Sequence, residues 1–141
     1  MRPICTYCGL VVFVDPKVVA GVITSIDGMI VMVRRGIEPG IGKWTFPAGY
    51  VDRGESASTA AIREMEEETC LKVRLNRLIG VYSDTGEVII LIVYSGEIID
   101  GILKAGSDAQ EAGLFDIDNL PPLAFKRDKI IMDDWMRLIR E

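Results

Sequence analysis

The chain predicts an α/β (α+β) domain in which a mixed β-sheet is sandwiched between helices. Three observations carry that expectation. β-branched runs stand before and after one strong helical segment, and an amphipathic segment closes the chain, so the order reads strands, helix, strands, helix. Asp27-Gly28 is a hairpin turn signal between two apolar runs. The longest apolar run, residues 88–93, suits a buried strand and is far too short to cross a bilayer. At 141 residues the chain has the length of one domain, able to bury roughly two-thirds of its unfolded surface without disulfides.

The elements follow in order. A first strand over residues 18–24 begins after the turn residues Asp15-Pro16, and Asp27-Gly28 turns it back as an antiparallel partner over 29–35. Residues 36–42 are a loop, broken by Pro39, Gly40 and Gly42. A short segment, 43–47, ends at Pro47, and 49–54 is a second loop. Residues 56–69 form the clearest helix: Ala, Glu, Met and Arg are good formers, and Ser56 can cap it. Ala57, Ala61 and Met65 recur every four residues as its apolar stripe. Strand segments are expected over 73–82. A long β-branched strand over 87–99 belongs at the sheet centre, ending at the turn pair Asp100-Gly101. Pro121-Pro122 closes a loop, and 128–140 is a helix with Ile131, Trp135 and Leu138 on one face. Residues 1–17 read as an N-terminal segment and 18–141 as the domain.

Composition excludes several chemistries. The chain has no His, so His-based acid–base catalysis, Ser-His triads and His-ligated metals are out. Sixteen Lys and Arg face 21 Asp and Glu, a net charge of −5 that argues against a nucleic-acid surface. No membrane partner is expected either. The opening residues do not read as a secretory leader, and the three Cys are an odd number, so a reduced cytoplasmic protein is expected.

Chemistry must then come from carboxylates, backbone and metal ions. Arg63-Glu64-Met65-Glu66-Glu67-Glu68 holds four glutamates in five positions. On a helix Glu64 and Glu68 lie one above the other with Glu67 beside them, opposite the apolar stripe. Like charges so placed repel, and a hard divalent cation such as Mg²⁺ or Mn²⁺ would compensate. The plain alternative is a solvated acidic face.

The spacing around the cluster is more specific. Gly49, five residues, Glu55, seven residues, Arg63-Glu64-Met65, one residue, Glu67-Glu68, one residue, Cys70-Leu71 resembles the signature of the Nudix hydrolase family, G-x5-E-x7-R-E-U-x-E-E-x-G-U, where U is aliphatic. Cys70 is the departure, standing where the family has Gly. Trp44-Thr45-Phe46-Pro47-Ala48-Gly49 is similar to the family's W-x-x-P-G-G entry, with Ala48 for the first Gly. Residues 18–35 look like its first hairpin, and Leu114-Phe115 with Leu120-Pro121 like its late strand and loop.

The resemblance implies the Nudix fold and metal-dependent hydrolysis of a nucleoside diphosphate linked to another moiety. It assigns Glu64, Glu67 and Glu68 and the Gly49 carbonyl to metal, and Arg63 with Glu55 to holding the helix glutamates. The base varies among family members, with Glu111 as the candidate here against a surface glutamate. An ADP-ribose-like substrate is favoured, releasing a nucleoside monophosphate. The alternatives are a house-cleaning nucleoside triphosphate pyrophosphatase and a noncatalytic nucleotide-binding regulatory domain. The family's NADH-cleaving type carries an S-Q-P-W-P-F-P motif, whereas residues 76–87 hold no Pro and no Trp. Trp44, Phe46 and Tyr82 are candidates to stack on a base, against the plainer reading of core aromatics.

Cys5-Thr6-Tyr7-Cys8-Gly9 is one C-x2-C knuckle, half of a zinc ribbon. A closed zinc site needs four ligands, and neither a His nor a second knuckle is available, so zinc is not expected. A homodimer sharing two knuckles, or completion by a preceding segment, are the alternatives.

Overall fold

Asp27 and Gly28 both take positive φ, 52° and 80°, as a two-residue type I′ turn requires. The hairpin forms where the sequence places it, but its arms differ from the expected pair. In this computed structural model, which describes residues 1–107 and 109–140, β1 (Lys17–Ile23) and β3 (Met29–Arg35) belong to different sheets. The hairpin partner of β3 is the two-residue β2 (Ser25–Ile26). β1 cannot pair with β3, because both of its edges are taken by other strands. It runs parallel to β7 (Ile89–Gly101) from Lys17↔Ile89 to Ile23↔Ser95, and antiparallel to β5 (Ala48–Tyr50).

One sheet therefore has the order β5-β1-β7-β6, with β6 spanning Leu71–Tyr82. The other is β2-β3-β4, with β4 at Trp44–Thr45 and β8 (Ala109–Phe115) along the free edge of β3. The expected single mixed sheet is two four-stranded sheets, of which the first is mixed. β7 holds the interior position expected of the long β-branched strand. The expected loop over 49–54 begins instead as β5, because Ala48, Gly49 and Tyr50 pair with β1. Residue 141, the expected end of the domain, lies outside the described residues.

The period of two along β1 and β3 divides the core. Ile23, Ile30, Met32, Leu91 and Val93 join Ile131, Met132 and Trp135 of α2 (Arg127–Ile139) in one cluster. The intervening Ala20, Val22 and Val31 join Ala60, Ala61 and Met65 of α1 (Ala57–Thr69) in the other. Strands buried on both faces thus lie between two helices. α1 starts at Ser56, whose hydroxyl accepts the Thr59 N–H at 3.1 Å. It buries Ala60, Ala61, Met65 and Thr69; of the expected Ala57/Ala61/Met65 line Ala57 is only half-buried, and Ala60 and Thr69 are buried in addition. It ends at Cys70, which takes φ 63° in the left-handed region and donates its N–H to Glu66 O at 2.9 Å. Among the described residues no helix is long and apolar enough to cross a membrane.

Candidate active site

The pairing of β5 with β1 fixes the floor of the site. Ala20↔Gly49 sets Gly49 beneath α1, and the Glu64 carboxylate rests directly on it. A Cβ on Gly49 would lie 2.1 Å from Glu64 Cδ, so only glycine admits this approach. One turn along the helix, Glu68 Oε2 accepts the Ala48 N–H at 3.0 Å. Glu64, Glu68 and Gly49 line a cleft of about 340 Å³ between the two sheets.

Arg63 organises the carboxylates. It grips Glu55 with two bonds, Nε to Oε2 at 2.8 Å and Nη2 to Oε1 at 2.9 Å. Nη1 donates to Glu64 Oε1 at 2.9 Å and to Glu67 Oε2 at 3.2 Å, and Nη2 donates to the Tyr50 carbonyl at 3.0 Å. A planar fork can hold this many acceptors at once, and an ammonium cannot. The Arg63 bonds, aided by the Asp52 N–H, hold the Glu55 carboxyl down at about pKa 2. The same pairing, with Glu55 first, raises the Arg63 pKa.

The expected metal set is only partly gathered. Glu64 and Glu68 reach the cleft, whereas Glu67 lies to the outer side, 47% exposed, against Arg63. Among the described residues no three acidic side chains are close enough together to hold an ion. The donor set nonetheless suits a hard divalent cation: two cleft carboxylates, all ligands oxygen, and a glycine floor that leaves room beside them. Glu111 stays at the rim. It sits within β8, not ahead of the late strand, and its side chain, 55% exposed, pairs with Arg34 at 3.4 Å.

None of the three expected stacking aromatics offers a free face to the cleft. Trp44 packs edge-on against Phe115 with centroids 4.7 Å apart and is not a lining residue. Phe46 lines the cleft but is 1% exposed, held in the core beneath it. Tyr82 lies elsewhere, its hydroxyl donating to Asp134 Oδ2 at 2.8 Å, and burial raises its pKa.

The opposite wall was missed by sequence reasoning. Arg34 and Arg35 at the end of β3, and Phe125, Arg127 and Asp128 at the start of α2, all line the cleft. The Arg35 and Arg127 guanidiniums stand 5.2 and 5.6 Å from the Phe125 ring centroid. Arg35 Nε donates to Pro39 O at 2.6 Å. The Nε groups of Arg34 and Arg127 are buried and have no hydrogen-bond partner. Buried N–H groups without acceptors are costly, and what these two side chains offer the cleft is the positive charge of their guanidiniums. Asp128 is 1% exposed and accepts the Thr45 hydroxyl at 2.7 Å. Burial pushes its pKa up to about 6, opposed by Thr45, Arg127 and Arg35. The one local signal for this wall was the Arg34-Arg35 pair at a strand end; nothing local links it to Arg127.

The family model for the NUDIX domain matches residues 15–136. The chain is 41% identical over 125 residues to an ADP-ribose pyrophosphatase of Methanocaldococcus jannaschii, covering 86% of this chain and 74% of that one. It is 30% identical over 110 residues to the NAD-capped RNA hydrolase NudC of Pseudomonas aeruginosa, covering 70% of this chain but 39% of that protein. Among solved structures, a Nudix hydrolase from Nitrosomonas europaea superposes with a TM-score of 0.89 at 28% identity, covering 96% of this chain and 78% of that one.

Proposed function

The chain belongs to the Nudix hydrolase family, and on that premise we propose that it cleaves a nucleoside diphosphate linked to a sugar, with ADP-ribose favoured, releasing a nucleoside monophosphate. The observation that carries this reading is the division of the cleft. Carboxylates Glu64 and Glu68 line one side, and Arg34, Arg35 and Arg127 line the other. A diphosphate is a ligand for both at once: cations gathered by the carboxylates and guanidiniums opposite can share its charge. The name of the Methanocaldococcus jannaschii relative points to ADP-ribose.

Glu64, Glu67, Glu68 and the Gly49 carbonyl are the groups we assign to Mg²⁺ or Mn²⁺. When bound, the cation polarises the phosphoryl oxygens and lowers the pKa of a water held for in-line attack. Arg63 holds Glu55, Glu64 and Glu67 in place before substrate arrives, so little reorganisation remains for the reaction. Arg34, Arg35 and Arg127 set positive charge opposite the carboxylates and hold the phosphates of the substrate against that wall. Phe125, carrying two guanidiniums, forms the apolar part of the arginine wall.

The test is a substrate panel. Purified protein with Mg²⁺ or Mn²⁺ is given ADP-ribose, NADH and nucleoside triphosphates, and monophosphate release is followed by chromatography. AMP from ADP-ribose, abolished by EDTA and restored by either cation, is the expected result. Turnover that persists in EDTA sinks the metal-dependent reading. Cleavage of triphosphates alone would select the house-cleaning activity, and cleavage of nothing the noncatalytic one.

A further inference from the structure

Outside the cleft, Cys5 and Cys8 share the turn of a small hairpin ahead of β1, and among the described residues no group of three or more His, Cys, Asp or Glu could hold an ion. A feature that bears on the reaction lies behind α1. The last turn of that helix carries Glu67 and Glu68, and the carbonyls at a helix end need donors from elsewhere. Residues 103–107, between β7 and β8, supply them as a strap across the turn. The Gly106 N–H donates to Glu68 O at 2.8 Å, and the Lys104 N–H to Thr69 O at 3.0 Å. Leu103 anchors the strap, packed against the cluster that holds Met65, Leu71 and Val73.

The approach is closer than any side chain at 106 allows. A Cβ there would lie 1.6 Å from Glu67 O, 2.7 Å from Glu67 C and 3.1 Å from Glu68 Cα. All three are helix backbone atoms, so no flexible side chain can swing aside. A Cβ keeps at least 3.0 Å from such atoms, and a side chain at 106 would part strap and helix by more than an ångström. The strap has little room to yield. It is held by β7 on one side, where Gly101 pairs with Leu71, and by β8 on the other. The Ala109 N–H donates back to Gly106 O at 3.4 Å, and Ala109 pairs with Arg35 at the end of β3. The displacement therefore falls on the peptide between Glu67 and Glu68. Glu68 is the carboxylate that enters the cleft beside the Ala48 N–H.

We propose that Gly106 is a positioning residue for the reaction: its bare Cα lets the strap clamp the last turn of α1, and the clamp sets Glu67 and Glu68 where they can share a divalent cation with Glu64. The inference rests on the cation reading of the cleft. Gly106 does not line the cleft, so it acts through the helix backbone. Groups behind a metal's ligands commonly change metal affinity or activity by about 10- to 100-fold when altered. A misplacement of about 1 Å at the reacting centre can cost about 100-fold in rate.

The experiment compares the wild-type chain with Gly106→Ala and Leu103→Ala. Mn²⁺ is titrated into each protein without substrate, and the free ion is followed by electron paramagnetic resonance. The melting temperature, and kcat and KM for ADP-ribose, are measured alongside. Gly106→Ala should bind Mn²⁺ about tenfold more weakly and lose about tenfold or more in kcat at saturating Mn²⁺, while KM changes by less than about threefold. Leu103→Ala loosens the strap without crowding the helix, and should shift both quantities the same way by a smaller factor. Wild-type Mn²⁺ affinity and kcat in Gly106→Ala overturn the proposal, including when its melting temperature falls, because Gly106 would then serve the fold alone. If Gly106→Ala does not fold, unchanged Mn²⁺ affinity and kcat in Leu103→Ala overturn it instead. A wild-type chain that binds no Mn²⁺ overturns the cation reading and this inference together, whereas one that binds Mn²⁺ no better than Gly106→Ala overturns this inference alone.

Discussion

Along α1, Arg63 touches Glu55, Glu64, Glu67 and the Tyr50 carbonyl, and the Ala48 N–H holds Glu68. Across the cleft, Arg34 and Arg127 keep buried Nε groups with nothing to donate to, beside an Asp128 pushed up to about pKa 6. One wall has its carboxylates held before substrate binds; the other faces the cleft with three guanidiniums. The first suits chemistry that must be pre-organised, the second suits a ligand that brings its own negative charge. Substitutions on the two walls should therefore fail in different ways.

The largest effect belongs to the carboxylate wall. Glu68→Gln and Glu67→Gln should each lower kcat by at least ~100-fold, because each removes charge at the diphosphate-binding cation. Glutamine at 68 can still accept the Ala48 N–H, so the melting temperature should hold. Wild-type turnover in either variant would detach these glutamates from the reaction.

Arg63→Lys should lose both activity and stability. An ammonium cannot bind Glu55 through two bonds and also reach Glu64, so kcat falls about tenfold or more. Urea denaturation should register a loss of roughly 1–2 kcal/mol from the broken, partly exposed bonds. Arg127→Gln is its counterpart on the other wall. There KM for the phosphate substrate should rise about tenfold with kcat nearly unchanged and a smaller stability loss, since in the free protein the guanidinium has only its place over the Phe125 ring and its field at Asp128. Equal stability losses in the two variants would erase the distinction between the walls.

Titration gives the walls opposite signs. Glu55 drops from 4.5 to about 2, so its contribution is present above pH 4.5 and fades as pH falls toward 2. Asp128 rises from 3.8 to about 6, so the fold binds its proton more tightly than the unfolded chain, and stability declines as pH climbs from about 4 through 6. Asp128→Asn keeps an acceptor for Thr45 and removes the buried charge. It should gain about 1–2 kcal/mol at pH 8 and close to nothing at pH 4. Denaturation curves at the two pH values check this, and a loss at pH 8 would mean that the Asp128 charge is stabilised in the cleft.

The smallest effect concerns Cys70, which belongs to neither wall. With φ at 63° and an exposed side chain, it pays for its Cβ without packing in return. Cys70→Gly should raise stability by about 0.5–1 kcal/mol, less a small loss from a freer unfolded chain, and change turnover by less than about tenfold. A less stable variant would show that the thiol holds the helix end in some other way.

The carboxylate wall was legible because its parts are neighbours on one helix. Helix periodicity puts Glu64, Glu67 and Glu68 on one face and Ser56 caps the helix, while the metal role of the glutamates and the oddity of Cys70 came from the resemblance to the family signature. The aromatics misled because Trp44, Phe46 and Tyr82 look alike as stacking groups or core, and only packing separates these roles. Asp128 was hidden for a similar reason. An acid in the first turn of a helix reads as a favourable dipole partner at the surface, and nothing in its neighbours announces burial.

By itself the sequence determined the helices, the hairpin turn, the family and the glutamates of one wall, since these rest on local periodicity and on the spacing of residues within 49–71. Tertiary structure decided the rest. The division of strands into two sheets follows from β7 and β5 occupying both edges of β1, a competition between distant partners that no local pattern records. The second wall depends on longer reach still. Thr45 meets Asp128 across 83 positions, and Trp44 bridges Leu123 to bring Phe125 and Arg127 beside the end of β3. Residues become one site there through the packing of α2 against the sheets, and packing depends on the whole chain.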